Sequence, residues 1–351
     1  MTSSSRLAAA IAAQFTDRAR WSLLEVLFWL VALSTIWLLP DQHLILAEIV
    51  IWALFALSLD LILGYAGIIS LGHAAFFGIG AYTAGLLAKH ALVGEPVLAL
   101  LLAGLAGAVF GFLTSFLVLR GTDLTRLMVT LGIALLVREL ANRFGWLTGG
   151  ADGLQGIDMQ PVLGLFRFDL YGHTAYIYSL AVLFVLFLLA RRIVGSPFGL
   201  ALLAIKGNPL RASAIGIGAD RRLIGIYTLA AAYAGIAGGL LTQTTAFTSL
   251  ESLSFDRSAD GLLVLIIGGT GHLYGGLIGA VVFRFAQDWI ATATPQYWQF
   301  WIGLFLVLIV LVGRDRIGGW FTPLRRLADR VGAWRPGKTR PTVLPGQGGA
   351  P

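Results

Sequence analysis

The sequence predicts an all-α integral membrane protein that crosses the bilayer about ten times, and at least about eight times. Of its 351 residues, 57% are hydrophobic and only 12% are charged. Apolar blocks of the length that a membrane helix needs, about 20 residues, fill most of residues 23–313. This composition leaves no space for a sizeable soluble catalytic domain.

The apolar blocks place the membrane segments in order along the chain, at 23–39, 44–63, 70–88, 97–119, 126–140, 174–190, 223–243, 259–271, 275–291 and 298–313. Residues 259–291 could instead form one long span. An odd number of crossings would then put the basic C-terminal tail outside, against the positive-inside rule. We therefore predict two shorter elements with a break at glycines 268–271.

Basic residues indicate which segments are cytoplasmic. Of the 25 lysines and arginines, 19 lie in four groups, at 6–20, 120–126, 191–222 and 314–351. The positive-inside rule assigns all four to the cytoplasm and the aspartate-containing connection 141–173 to the outside. The chain thus divides into a cytoplasmic segment 1–22, a membrane domain 23–313 and a basic cytoplasmic tail 314–351, which we expect to be disordered towards its end.

Two glycine-rich breaks interrupt the apolar blocks. The first contains Gly64 and Gly67, and irregular backbone at membrane depth requires surrounding protein or a water-filled cavity. We therefore predict that the breaks line a pathway. Residues 71–81 resemble residues 270–280, which pairs Gly72 with Gly271 and His73 with His272. The similarity is either an internal repeat, as in many transporters, or a chance alignment of glycine-rich segments.

Several polar residues in the apolar blocks are candidates for a function. His73 and His272 could move a proton or line the pathway, but we favour structural hydrogen bonds. Asp60 is expected to face protein or water. Arg284 and Asp288, four residues apart, are expected to pair on one helix face.

The outer connection begins with a glycine-rich turn. Gly149, Gly150 and Asp152 are typical of a tight turn, which is either a plain external turn or a docking place for a delivery protein.

Composition also excludes several kinds of chemistry. The chain contains no cysteine, so disulfides and thiolate metal sites are excluded. None of its predicted spans carries a paired-carboxylate, Ser/His or metal constellation. We predict no bound cofactor, no metal, no ATP and no nucleic acid, and no enzymatic activity.

The basic internal segment 191–222 is predicted to form two short helices. Ser196-Pro197 is a helix-start signal, residues 207–209 form a turn, and Gly216 ends the second helix. Such a helix–turn–helix is either a docking element for a cytosolic partner or a basic surface that lies on anionic lipid.

The glycine-rich stretch 64–87, the motif 148–157, the segment 196–241 and the stretch LIIGGTGHLYGGLIGAVV occur in this order. In these motifs and their order the chain resembles the permease subunits of branched-chain amino acid ABC importers, and among them the LivM-type member. The resemblance implies a bacterial inner-membrane permease with both termini cytoplasmic, a second, homologous permease as heterodimer partner, two cytosolic ATPases that bind ATP, and a periplasmic binding protein.

The resemblance also implies that the short helices couple the permease to the ATPase. The residues assigned to this coupling element are Gly199, Ala204, Ala212, Ala214 and Gly216. Lys206-Gly207-Asn208 departs from the family, which usually has acidic residues at this turn. The most probable solute is a branched-chain amino acid, and urea, short amides or aromatic acids are alternatives. An ion-coupled carrier is the less favoured transport mechanism, and an intramembrane enzyme or scaffold is the least favoured function.

Overall fold

A computed structural model describes residues 22–169, 171–297, 300, 301, 303, 304 and 307. The predicted N-terminal segment 1–22, the C-terminal tail 314–351 and most of the predicted span 298–313 lie outside these residues. The chain divides into two compact units, Met1–Trp289 and Ile290–Pro351. The helices named below lie in the first unit, except that the last of them ends four residues beyond Trp289, at Ala293.

The described residues are mainly helical, as the sequence predicts. In chain order the helices are α1 (Leu23–Leu38), α2 (His43–Leu59), α3 (Ala74–Lys89), α4 (Pro96–Val118), α5 (Asp123–Arg143), α6 (Gly145–Thr148), α7 (His173–Val194), α8 (Pro197–Gly207), α9 (Pro209–Ala214), α10 (Ala219–Thr245), α11 (Phe255–Gly268) and α12 (Leu273–Ala293). A π-helical turn, Asp60–Tyr65, extends α2, and short 3-10 turns occur at Pro40–Gln42, Gly150–Asp152 and Leu250–Leu253.

The predicted break in residues 259–291 is confirmed. Helices α11 and α12 are separate and bend by 111° relative to each other. Gly269 and Gly271, between them, have φ values of +95° and +79°, which L-residues with side chains rarely adopt. This pair of glycines therefore permits the sharp change of direction.

Four segments of the described chain are long and apolar enough to cross a membrane, namely Pro40–Tyr65, Pro96–Val118, His173–Val194 and Ala219–Thr245, and the bent pair α11–α12 is a fifth if it forms one span. Three other predicted spans, 23–39, 70–88 and 126–140, are largely helical but do not meet this criterion. Helices α1 and α3 have only 16 residues each, and α5 carries charges at both ends. About ten crossings therefore stays a prediction.

Helix α10 forms the centre of the first unit and packs against α2, α3 and α4. Its contacts with α3 and α4 are made by small residues. A Cβ atom on Gly80 of α3 would lie 2.0 Å from the carbonyl oxygen of Gly235, and one on Gly107 of α4 would lie 2.6 Å from that of Ala231. Backbone-to-backbone packing of this kind is typical of membrane helices.

Helices α3 and α10 run in the same direction. Gly80 of α3 faces Gly235 of α10, and further along both helices Gly85 faces Thr242. Both helices therefore start at one end of the unit and finish at the other. The first end carries the breaks and the short helices α8 and α9, and the second end carries the loop that follows α6.

Candidate functional site

The basic segment folds into the two short helices that the sequence predicts. The Ser196 hydroxyl accepts a hydrogen bond from the N–H of Phe198 at the start of α8, and Asn208 Oδ1 accepts one from the N–H of Arg211 at the start of α9. Gly216, with φ of +84°, follows the second helix. We call residues 196–216 the hairpin.

The five residues assigned to coupling fall into two groups. Gly199 and Ala212 are buried inside this chain, and a Cβ atom on Gly199 would lie 2.1 Å from the carbonyl oxygen of Val194. These two residues therefore pack the hairpin itself. Ala204, Ala214 and Gly216 are exposed and available to a partner.

The sequence prediction missed the apolar side chains on the hairpin surface. Leu210 is 80% exposed, Ile215 is 74% exposed and Leu203 is 42% exposed. Exposed leucines and isoleucines on a basic segment indicate a surface that is covered by another molecule. The local signal was present in the sequence, since Leu210 lies in the second short helix and Ile215 directly follows it.

The first glycine break begins in the π-helical turn. Its residues Asp60 and Gly64 are buried, and the chain reverses at Gly67, where φ is +73°. The N–H of Ile68 returns to the carbonyl of Ile62 at 3.0 Å. The predicted irregular backbone is therefore present at residues 64–67.

The hairpin contacts this break directly. Lys206 Nζ donates a hydrogen bond to the carbonyl oxygen of Gly64 at 2.6 Å. The lysine stem crosses Gly67, where a Cβ atom would lie 3.0 Å from Lys206 Cγ. The sequence prediction gave Lys206 no contact with the membrane domain, because 142 residues separate it from Gly64.

The second break, at Gly271, contacts the first break at Asp60 and Gly64. Asp60 Oδ1 accepts a hydrogen bond from the N–H of Gly271 at 2.6 Å. A Cβ atom on Gly64 would lie 2.1 Å from Asp60 Oδ1 and 2.6 Å from the nitrogen of Gly271, so only glycine fits there. We call Asp60, Gly64, Gly67, Lys206 and Gly271 the break junction. The expectation that Asp60 faces protein is confirmed.

The two histidines at the breaks have different surroundings. His73 is fully buried, and its Nε2 lies 2.9 Å from the Ser58 hydroxyl. His272 is exposed, and its Nδ1 lies 3.3 Å from the carbonyl oxygen of Thr270. Each histidine directly precedes a helix, His73 before α3 and His272 before α12. Because one is buried and the other is exposed, the two histidines are not equivalent sites.

Gly72 lies against α5 and apart from the break junction. A Cβ atom on Gly72 would lie 1.9 Å from the carbonyl oxygen of Thr130, so the residue allows a close backbone contact. Gly271, which the sequence comparison paired with it, has a positive φ instead. The internal repeat stays a prediction.

The glycine-rich motif at the opposite end of the unit forms the tight turn that the sequence predicts. Gly149 and Gly150 have φ values of +81° and +55°, and a Cβ atom on Gly149 would lie 2.0 Å from the carbonyl oxygen of Gly153. The Thr148 hydroxyl accepts from the N–H of Gly150 at 3.2 Å. Asp152 is exposed, and docking at this turn stays a prediction.

Arg284 and Asp288, which were expected to pair on one helix face, interact electrostatically. Arg284 also forms an ion pair with Glu48 of α2 and donates to Gln287 Oε1 at 2.7 Å. The sequence prediction therefore missed a further partner on the neighbouring helix. Spacing along one helix could not reveal Glu48, which is 236 residues away.

The described part of the chain contains no group of three or more histidine, cysteine or carboxylate residues that could hold a metal ion. The break junction consists of a lysine, an aspartate and the backbone groups of three glycines. Such an arrangement can hold two helix breaks and a surface hairpin in a fixed relation.

Long apolar helices, glycine breaks and a basic surface hairpin define a polytopic helical membrane protein. The chain belongs to the family of permease components of branched-chain amino acid transport systems, whose family model matches residues 43–312.

Curated relatives agree with this family. The chain is 29% identical over 282 residues to the high-affinity branched-chain amino acid transport system permease protein LivM of Salmonella typhimurium, and the match covers 74% of this chain and 66% of the relative. LivM of Escherichia coli is 28% identical with the same coverage. The chain thus spans just under two thirds of these relatives.

A more distant relative is the probable branched-chain amino acid transport permease protein LivH of Methanocaldococcus jannaschii, 26% identical over 68% of this chain and 76% of the relative. No solved structure matches the chain.

Proposed function

We propose that this chain is a membrane-spanning permease subunit of an ATP-driven importer, and that its solute is a branched-chain amino acid. The observation that carries the proposal is the hairpin, which presents exposed Leu203, Leu210 and Ile215 from a basic segment. An apolar surface of this kind fits the groove of a soluble partner. The names of the LivM relatives support the class of solute.

The proposal includes the partners. A second, homologous permease completes the pathway, two cytosolic ATPases bind and hydrolyse ATP, and a periplasmic binding protein delivers the solute. This chain itself catalyses no reaction. Both of its termini and the hairpin lie in the cytoplasm of a bacterium, and the turn at Gly149, Gly150 and Asp152 lies on the periplasmic side.

The hairpin test uses Ala204→Glu, with Ala204→Ser as the matched control. Ala204 is exposed in this chain, so glutamate does not disturb the permease fold. In the ATPase groove an unpaired charge would be buried at a cost of several kcal/mol. Because about 1.4 kcal/mol corresponds to a tenfold change in affinity, we expect co-purification of the ATPase to weaken at least about tenfold in the glutamate variant and to persist in the serine variant. Full ATPase association and uptake in the glutamate variant would show that the hairpin lies on lipid instead.

The solute is tested by uptake into liposomes that contain the complete complex. We expect ATP-dependent accumulation of labelled leucine that excess isoleucine or valine inhibits. Accumulation of labelled urea without leucine uptake would assign the protein to the alternative solute class. Uptake driven by an ion gradient in the absence of the ATPases would contradict the ATP-driven mechanism.

A further inference from the structure

The contact between Lys206 and the first helix break has a simple electrostatic basis. The Gly64 carbonyl lies at the C-terminal end of the π-helical turn Asp60–Tyr65, where carbonyl groups carry partial negative charge. The ammonium group of Lys206 donates to this carbonyl at 2.6 Å, a short distance typical of a charge-assisted hydrogen bond. The hairpin is therefore attached to a backbone group of the membrane domain.

The attachment continues from the first break to the second. Gly64 leaves no space for a side chain between itself, Asp60 Oδ1 and the nitrogen of Gly271. Asp60 in turn holds the Gly271 N–H at 2.6 Å, immediately before α12. One contact chain thus leads from Lys206 through Gly64 and Asp60 to Gly271.

The glycines make this chain of contacts sensitive to displacement. Gly67 and Gly271 have φ values of +73° and +79°, so the backbone changes direction at both positions. A movement of the Lys206 ammonium group must either lengthen its hydrogen bond or shift the Gly64 carbonyl, and a hydrogen bond weakens outside its normal range of distances.

We propose that Lys206 is the positioning residue through which the hairpin moves the two helix breaks. The inference rests on the proposed function, since it requires that an ATPase moves the hairpin. ATP-driven displacement of α8 pulls the Gly64 carbonyl by the lysine side chain, and Asp60 passes the shift to Gly271 and the start of α12. The two breaks then change conformation together, which opens or closes the membrane pathway at the end where the hairpin lies.

The test substitutes Lys206→Met, which keeps most of the stem and removes the ammonium group. The matched control is Arg192→Met, which removes one positive charge from the same basic segment, outside the hairpin. The complete complex in liposomes is assayed for ATPase co-purification, for ATP hydrolysis and for solute taken up per ATP hydrolysed. We expect Lys206→Met to keep ATPase co-purification and ATP hydrolysis. We expect its uptake per ATP hydrolysed to fall about tenfold, within the range of coupling effects of about 5- to 150-fold. Arg192→Met keeps all three.

A second measurement separates positioning from folding. Because the chain has no cysteine, single cysteines can be introduced and spin-labelled at Ser213 on the hairpin and at Ile69 beside the first break, both of which are exposed. In the unaltered background both labels should respond to ATP. In Lys206→Met the label at Ser213 should keep its response and the label at Ile69 should lose it.

Three outcomes would overturn the role of Lys206. They are full uptake per ATP in Lys206→Met, loss of ATPase co-purification in that variant, and an unchanged ATP response at Ile69. The second outcome would make Lys206 an ATPase contact. Failure of the proposed function is distinguishable, because it appears as retained ATPase binding in Ala204→Glu or as absent ATP responses at Ser213 in the unaltered background.

Discussion

At the scale of single residues, Asp169 shows how one carboxylate supports the start of a long helix. Its Oδ1 accepts a hydrogen bond from the N–H of Thr174 at 2.9 Å, and its Oδ2 accepts one from His173 at 3.2 Å. Both N–H groups belong to the first turn of α7, which has no helical partner for them. Burial by itself would raise the pKa of Asp169, but these hydrogen bonds outweigh it and lower the pKa.

We therefore expect Asp169→Ala to destabilise the protein by about 0.5 kcal/mol at pH 7, the low end for an exposed helix-start residue. Because the folded pKa lies below the unfolded value, this contribution is complete above about pH 4 and disappears as the pH falls through the lowered pKa. Thermal unfolding in detergent at pH 7 and at pH 3 measures the change. Asp158→Ala, in the same loop, should have no effect at either pH, and an equal loss in both variants would contradict the assignment.

Residue-level predictions from the sequence succeeded where the signal was local. Ser196 starts the first hairpin helix and Gly216 follows the second as predicted, because helix ends depend on neighbouring residues. The contacts of Lys206 with Gly64 and of Arg284 with Glu48 were missed because they join distant parts of the chain. A single sequence without tertiary contacts gives a lysine in a basic loop no reason to reach Gly64.

At the scale of elements, the packing of α4 on α10 depends on glycines. Gly104, Gly107 and Gly111 follow one face of α4, and a Cβ atom on any of them would lie within 2.7 Å of α10. Small residues at these positions allow the two backbones to approach closely, which is how membrane helices gain contact area. The apolar pattern of α4 predicted a span but could not show which helix its glycine face contacts.

We expect Gly107→Leu to separate α4 from α10 and to lower the stability of the folded protein by roughly 1–3 kcal/mol or more, as overpacking does. Gly132→Leu in α5 is the matched control, because nothing lies within 4 Å of a Cβ atom at that position. The measurement is the yield of monodisperse protein in detergent and its thermal midpoint. Similar losses in both variants would show that leucine disturbs any helix of this protein, and would contradict the packing argument.

The sequence predicted that α11 and α12 are separate helices, but it did not predict the angle between them. Basic residues in the tail required an even number of crossings, and glycines at 268–271 supplied the break. The 111° bend itself lies beside Gly271, which fits against Asp60 and Gly64. Such a fit becomes visible only when both breaks are placed together.

At the scale of the whole molecule, the hairpin and the loop after α6 lie at opposite ends of the first unit. The common direction of α3 and α10 establishes this arrangement, since Phe77 faces Gly238 and, further along α3, Gly85 faces Thr242. The basic segment 191–222 then predicts which end is cytoplasmic.

We expect cysteines introduced at Ala204 and Asp152 to react from opposite sides of the membrane. Both positions are exposed, and the cysteine-free parent gives no background. In intact cells with a permeable outer membrane, a membrane-impermeant maleimide should label Asp152→Cys at once and Ala204→Cys only after the inner membrane is opened. Labelling of both positions from the outside would contradict the predicted topology.

The close backbone contact between α3 and α10 has a mechanical consequence. Gly80 meets the backbone of Gly235, and Gly238 meets that of Phe77, so no side-chain rotamer can yield at these two contacts. The pair is expected to behave as one stiff rod, which begins beside the breaks and ends where Gly85 faces Leu154. In the proposed importer a tilt imposed at one end is then delivered to the far loop, and we expect ATP consumed on one side of the membrane to change the surface on the other.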